Sequence, residues 1–299
     1  MRNKPPLDLA ALATFVEIVS RGSFSAGARA RGIPRATATR HVHVLEQDLG
    51  VRLIERTTRA MRVTEAGADL AVRARRILDE ADAARDAVTD RQQTLSGPIR
   101  ISAPIEYGMT FVGPALVAFA SAHPDVRLSV ELTARHVDLV DDGFDVALRI
   151  GPLRDSTDAA RRLGRLTFVV CAAPALLASE PALRRPAQLS SRKLLVFDTA
   201  SRKRVWRFSS SGRTIDVALG PATIEANSYA LLLAAALRGL GFARLPSFIA
   251  APALDAGTLI RVLPGWRCDE LLVHALFRRG RETARVRALL AHLAAALGE

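Results

Sequence analysis

The strongest constraint on this chain lies in residues 22–47, GSFSAGARARGIPRATATRHVHVLEQ. Two short helical patterns flank Gly32-Ile33-Pro34. Ser23 is placed to cap the first, and Ala26, Ala28 and Ala30 keep it narrow. Pro34 suits the first turn of the second, where a missing N–H costs nothing. In that second segment Ala38, Val42 and Leu45 fall at i, i+4 and i+7 and form a core-facing row. Arg35, Thr37, Thr39, Arg40 and His41 fall largely outside it. No acid occurs between Glu17 and Glu46, while Arg21, Arg29, Arg31, Arg35 and Arg40 lie in that gap. A helix, a tight turn and a second helix that opens with basic and hydroxyl side chains has the form of a major-groove reader.

The flanking segments extend this reading. Residues 7–20 predict a helix with the stripe Leu9, Leu12, Val16 and Val19, stopped by Gly22. Residues 51–64, VRLIERTTRAMRVT, predict two short strands anchored by Leu53, Met61 and Val63. Residues 55–59 form the tip between them, and a basic hairpin tip beside a recognition helix reaches phosphate or the minor groove. Thr64 then caps a long helix to about residue 93. In it Leu70, Ala74, Ile77, Ala81, Ala84 and Val88 repeat as a heptad seam between charged flanks. A narrow, alanine-rich seam of this kind predicts close pairing with a second helix, hence a homodimer or tetramer.

Ser96-Gly97-Pro98 breaks the helix, and the pattern beyond becomes α/β. Strands are expected at 99–102, 126–132, 145–150, 166–172, 194–197, 215–217, 223–225, 241–245, 259–263 and 271–277. Helices are expected at 110–122, 137–142, 228–238 and 286–297, with Asn227 capping the third and Gly239 ending it. Residues 201–204, with Trp206 and Arg207, read as an exposed loop. The fold class is therefore an N-terminal, mainly helical winged helix-turn-helix with a long linker helix, followed by an α/β region of two lobes. Its expected divisions are 7–64 (helix-turn-helix 23–42), 65–95 and 96–299, with one lobe from 98–165 and 269–299 and the other from 166–268.

Charge supports an anionic partner without locating it. The chain carries a net +12, but residues 1–97 contribute 16 basic against 12 acidic residues and residues 98–299 contribute 26 against 18. Local segregation is sharper: residues 21–62 hold nine Arg and only three acids. Two cysteines, Cys171 and Cys268, cannot build a disulfide framework and fit a reducing cytoplasm. Asp8 and Glu17 interrupt the N-terminal apolar stretch, which reads as a helix and not a signal peptide. No uninterrupted apolar run approaches the roughly 20 residues of a bilayer crossing, so no membrane association is expected.

Other motifs have plainer explanations. His41 and His43, two apart on a helix, point in different directions and predict no metal site. Gly239-Leu240-Gly241 begins like a dinucleotide fingerprint, but the glycines follow a helix and do not open one. Ser209-Ser210-Ser211-Gly212 lacks the preceding glycine of a nucleophile elbow. No catalytic constellation assembles, and neither an enzyme activity nor a cofactor is expected.

The N-terminal part closely resembles the LysR-type transcriptional regulators. The resemblance is carried by TFVEIVSRGSFSAGARARGI, by TRHVHVLEQDLGVRLIERTTRAMRVTEAG and by the helix through ARRILDE. The remainder is similar to that family's effector-binding region in GPIRISAP, PALVAFASAHPDVRLSVEL, LVDDGFDVALRIG and AALRGLGFARLP. This implies a regulator that binds a double-stranded DNA operator, with RNA polymerase as a candidate further partner. Its C-terminal region would be of the type 2 periplasmic-binding-protein kind, with an effector cleft between two lobes. Pro34, Arg35-Ala36 and Ala38-Thr39 depart from the family's usual residues, so its base preferences do not transfer. Ser23, Arg35, Thr37, Thr39, Arg40, His41, Arg56, Thr57 and Arg59 are the expected DNA contacts. Ser102, Tyr107, Thr133, Arg149, Phe197, Asn227 and Ser228 are the candidate effector contacts, Ser102, Thr133 and Asn227 foremost. Strand ends and helix starts gather free N–H groups, which favours a small, anionic or hydrogen-bonding effector. A solute-binding protein without a regulatory role is the alternative, disfavoured by the helix-turn-helix and the wing.

Overall fold

The computed structural model describes residues 6–56, 61–89, 95–153, 158–197, 204–280 and 282–298, without the side chains of 56, 79, 82, 83 and 85–89. The chain opens with helices α1 (Leu9–Arg21), α2 (Phe24–Ala30) and α3 (Arg35–Leu49). Gly22 ends α1 with a left-handed φ of 63° and donates to the Val19 carbonyl, and the Ser23 side chain caps α2. The turn into α3 closes with Gly32 N–H on the Arg29 carbonyl and Ile33 N–H on Ala28, which satisfies the last carbonyls of α2. Pro34 sits one position before α3, at its N-cap.

Helix α1 buries Ala11, Leu12, Thr14, Phe15 and Ile18, while Leu9 is exposed and Val16 and Val19 are half-buried. The expected stripe is thus displaced toward Phe15 and Ile18. The helix touches α2, α3 and α4, so the buried face is broad and its bulkiest side chains set the centre. Strands β1 (Ile54–Arg56) and β2 (Met61–Val63) pair antiparallel as the wing. Helix α4 (Glu65–Thr89) follows, capped by Thr64, whose Oγ1 accepts from Gly67 N–H at 3.0 Å. Ala71 and Ala74 are buried in the head's own core, whereas Ile77 is 40% exposed. The seam therefore divides among the described side chains: its start packs within the chain, while Ile77 and Ala84 are exposed and Ala81 is half-buried.

The rest forms two five-stranded sheets. The first has the order β4-β3-β5-β15-β6, from β3 (Gly97–Ala103), β4 (Val126–Leu132), β5 (Val146–Ile150), β6 (Ala159–Leu166) and β15 (Leu271–Phe277). The second has the order β11-β8-β12-β7-β13, from β7 (Phe168–Ala172), β8 (Leu194–Phe197), β11 (Ala222–Ala226), β12 (Phe242–Pro246) and β13 (Ile260–Arg261). A small antiparallel sheet of β9 (Val205–Ser210), β10 (Arg213–Ala218) and β14 (Arg267–Cys268) flanks the second. The chain crosses from one lobe to the other between β6 and β7 and returns between β14 and β15. Trp206 and Arg207 lie in β9, with Trp206 buried, and not in an exposed loop; residues 201–203 lie outside the described residues.

Helices cover the sheets: α5 (Ile105–Tyr107), α6 (Gly113–Ala122) and α10 (Ala284–Leu297) on the first, α7 (Pro174–Ser179), α8 (Tyr229–Leu237) and α9 (Ser247–Asp255) on the second. A π-helical turn, Gly108–Val112, joins α5 to α6. The run Ile105–Ala122 is long and apolar enough, by length and composition only, to cross a membrane, though Glu106 and Pro114 interrupt it. Its Tyr107, Val112, Ala115, Leu116 and Phe119 are instead buried in the first lobe's core. Of the helix expected at 137–142, residues 139–142 make a single turn and nothing longer. The Asp138 carboxylate accepts from Val140 and Asp141 N–H groups at 2.7 and 2.8 Å, as a helix cap does, and Gly143, with a left-handed φ of 69°, stops the chain at once.

Candidate nucleic-acid interface and effector cleft

On α3 the inward row is Ala38, Val42 and Leu45. Arg35 and Arg40 are exposed, and Thr37 and Thr39 are half-buried on the flanks. His43, passed over as a contact, is also exposed and falls three residues after Arg40, on the same face. His41 is different: its Nδ1 lies 2.8 Å from Oγ1 of the buried Thr14 on α1, so it braces α3 against α1. Ser23 likewise serves as a cap, accepting from Ala26 N–H at 3.4 Å. Arg56 lies in β1, with its side chain outside the described residues, and Thr57 and Arg59 lie outside them altogether.

Glu46, at the end of α3, was not singled out by sequence reasoning. Its Oε1 accepts from the N–H groups of Leu53 and Ile54 at 2.8 and 3.2 Å. The carboxylate thereby fixes where the wing leaves the head. Recognition helix and wing are held by one side chain.

Between the two lobes lies a cavity of about 740 Å³. It brings together Tyr107, Thr133, Arg149, Phe197 and Asn227. Ser102 is not among its lining residues. In β3 it alternates with Ile101 and Ala103, both in the first lobe's core, and its fully buried Oγ has no hydrogen-bond partner among the described residues. Ser228 is also absent from the wall; it, and not Asn227, caps α8, accepting from Leu231 N–H at 3.4 Å.

The wall has a distinct charge pattern. Arg149 is only 8% exposed, donates to the carbonyls of Leu148 and Val137 at 2.8 and 3.1 Å, and leaves Nε unpartnered among the described residues. Burial first, and the charge of Arg135 second, push its pKa below the ordinary guanidinium value, against the pull of Asp142. Arg135 is committed to Asp142, with two contacts of 2.9 Å. Thr133 Oγ1 accepts from Arg135 N–H at 3.1 Å. Phe197 and Tyr229 stack at 4.0 Å, 16° from parallel. Burial raises the pKa of both Tyr107 and Tyr229, so both phenols stay protonated donors. Such a wall accommodates a small molecule with an apolar body and a few polar groups. Among the described residues, no three His, Cys, Asp or Glu side chains gather as a metal site.

Two family models match the chain: the bacterial regulatory helix-turn-helix protein of the lysR family over residues 9–68, and the LysR substrate binding domain over residues 92–298. The chain belongs to the LysR family of transcriptional regulators. It is thus a DNA-binding LysR-type regulator whose C-terminal region binds an effector. Among LysR-type relatives, the regulator PtxR of Pseudomonas aeruginosa is 33% identical over 98% of this chain and 94% of its own. The full-length virulence activator AphB of Vibrio cholerae is similar in structure, with a TM-score of 0.61, 27% identity and coverage of 97% of this chain and 99% of its own. CrgA of Neisseria meningitidis gives 0.59, 28%, 97% and 98%.

Proposed function

We propose that this regulator places α3 in the major groove of a double-stranded operator, with Arg35, Thr37, Thr39 and Arg40 toward DNA and the wing tip, Arg56 to Arg59, on phosphate or in the minor groove. The observation that carries this reading is the exposed, acid-free outer face of α3 beside a wing anchored by Glu46. Residues 7–64 form the DNA-binding head, 65–95 the linker that pairs two chains, and 96–299 the sensing region. A small organic effector occupies the cavity between the lobes, contacting Thr133, Arg149 and Asn227. The lobes shift around it and re-aim the paired heads through α4. The protein acts in the cytoplasm as a homodimer or tetramer, beside RNA polymerase, and performs no catalysis.

A gel shift on DNA upstream of the neighbouring gene, at two salt concentrations, tests the DNA half. Arg40→Ala should weaken binding by about 1–3 kcal/mol if it grips a base, or flatten the salt slope by about one if it grips phosphate. Unchanged affinity and slope would refute this docking. A thermal-shift screen of metabolites, repeated on Arg149→Met, tests the cleft.

A further inference from the structure

The N-terminus of α8 faces the cleft from the second lobe, and it is already occupied by a carboxylate of the first. Glu106, in α5, accepts at Oε1 from Tyr229 N–H at 2.7 Å, from Ala230 N–H at 3.3 Å and from the Ser228 hydroxyl at 3.0 Å. Tyr229 and Ala230 are the first two residues of a nine-residue helix, so their N–H groups have no acceptor within it. Ser228 serves the third amide, that of Leu231. Every early donor of α8 named here is thus satisfied, two of them only by a side chain from the opposite lobe. Glu106 and Tyr229 both line the cavity.

We propose that Glu106 is a tethered ligand. It fills from within the anion position at the start of α8, latches the two lobes across the cleft, and sets which carboxylates enter. This rests on the cavity being the effector site. A tethered group competes at an effective concentration on the order of millimolar. A small free carboxylate offering only the same contacts loses that competition. A carboxylate with an apolar body also gains contact with the stacked Phe197 and Tyr229, and with Phe248, and can replace Glu106. The latch therefore discriminates by body, admitting bulky organic acids and rejecting short ones.

The test uses the full-length chain as wild type, Glu106→Ala and Glu106→Gln, without any effector. Amide hydrogen exchange is read at Tyr229 and Ala230, with acetate as the probe and chloride at matched ionic strength as the control. In Glu106→Ala both amides should exchange about tenfold faster, because helix N-terminal donors have no other partner. Acetate, but not chloride, should restore their protection and leave wild type unchanged. Glu106→Gln keeps the shape but offers a neutral acceptor of about half the strength, so its exchange should fall between the other two. Wild-type protection in both variants would overturn the latch, and so would equal acetate protection in wild type and Glu106→Ala. Because these signals need no effector, failure of the effector-cleft reading would leave them intact, whereas a missing acetate rescue would remove the latch alone.

Discussion

Oγ1 of Thr14 stands 2.8 Å from Nδ1 of His41 and 2.8 Å from the Ala10 carbonyl. A hydroxyl has one proton, which the Ala10 carbonyl receives, so the ring's Nδ1–H donates to Thr14. His41 is therefore a strut between α1 and α3. Thr14→Val keeps the shape and removes the acceptor, and should lower stability by about 1 kcal/mol in thermal or urea unfolding. Operator affinity of the folded protein should barely change. A loss as large as that of Arg40→Ala would assign His41 to DNA.

The uncovered part of the α4 seam makes a second prediction. Ala74 is buried against its own head, but Ile77 is 40% exposed and Ala84 is exposed. Ile77→Glu or Ala81→Glu should weaken self-association in analytical ultracentrifugation while leaving helix content unchanged, since intrinsic propensity hardly differs. Full oligomerisation of both variants at low concentration would put the partner surface elsewhere.

At α8 the cap decides between neighbours. Ser228→Ala should cost about 1 kcal/mol, through the Leu231 amide and the lost donor to Glu106. Asn227→Ala should stay within about 0.5 kcal/mol. Equal losses in thermal unfolding would show that Asn227 shares the cap.

His274 on β15 faces Arg149 and Arg162 on the two adjacent strands. Burial, and then the Arg162 charge, hold its pKa below the ordinary 6.5. As pH falls through 6.5 the unfolded chain takes the proton before the folded one. Stability is thus untouched by this group above that pH and declines below it. The melting temperature should drop between about pH 7 and about pH 5, and less steeply in His274→Gln. Identical slopes would exclude His274 as a contributor.

Local chemistry was legible before the structure. Gly22, Ser23, Thr64 and the row Ala38, Val42, Leu45 each follow from neighbours within one or two helical turns. The α1 stripe was misplaced because a helix packed against three others buries too wide a face for spacing to choose its centre. Residues 137–142 looked helical because they do carry a cap, Asp138, but Gly143 in the left-handed region ends the segment after one turn. Strand ends and helix starts, read together with the family resemblance, pointed to Tyr107, Thr133, Arg149, Phe197 and Asn227, which the fold gathers around one cavity. The strand-end argument also pointed to Ser102, whose strand turns it away from that wall. Glu106 left no trace in the sequence: its partners are in the other lobe, and no periodicity reports such a contact.

Gly67 sits where an added Cβ would stand 2.1 Å from the Leu53 carbonyl, which accepts from the Thr64 N–H at 3.1 Å, while the Thr64 hydroxyl donates to the Arg52 carbonyl at 2.8 Å. Glu46 ties the other end of this short segment to α3. The recognition helix, the base of the wing and the first turn of α4 are thereby tied together through residues 52–54. In a pair of chains joined along α4, the heads would behave as the jaws of a calliper. A small rotation of the handles would alter the span between the jaws, to be matched against half-sites one duplex turn, about 34 Å, or its multiples apart.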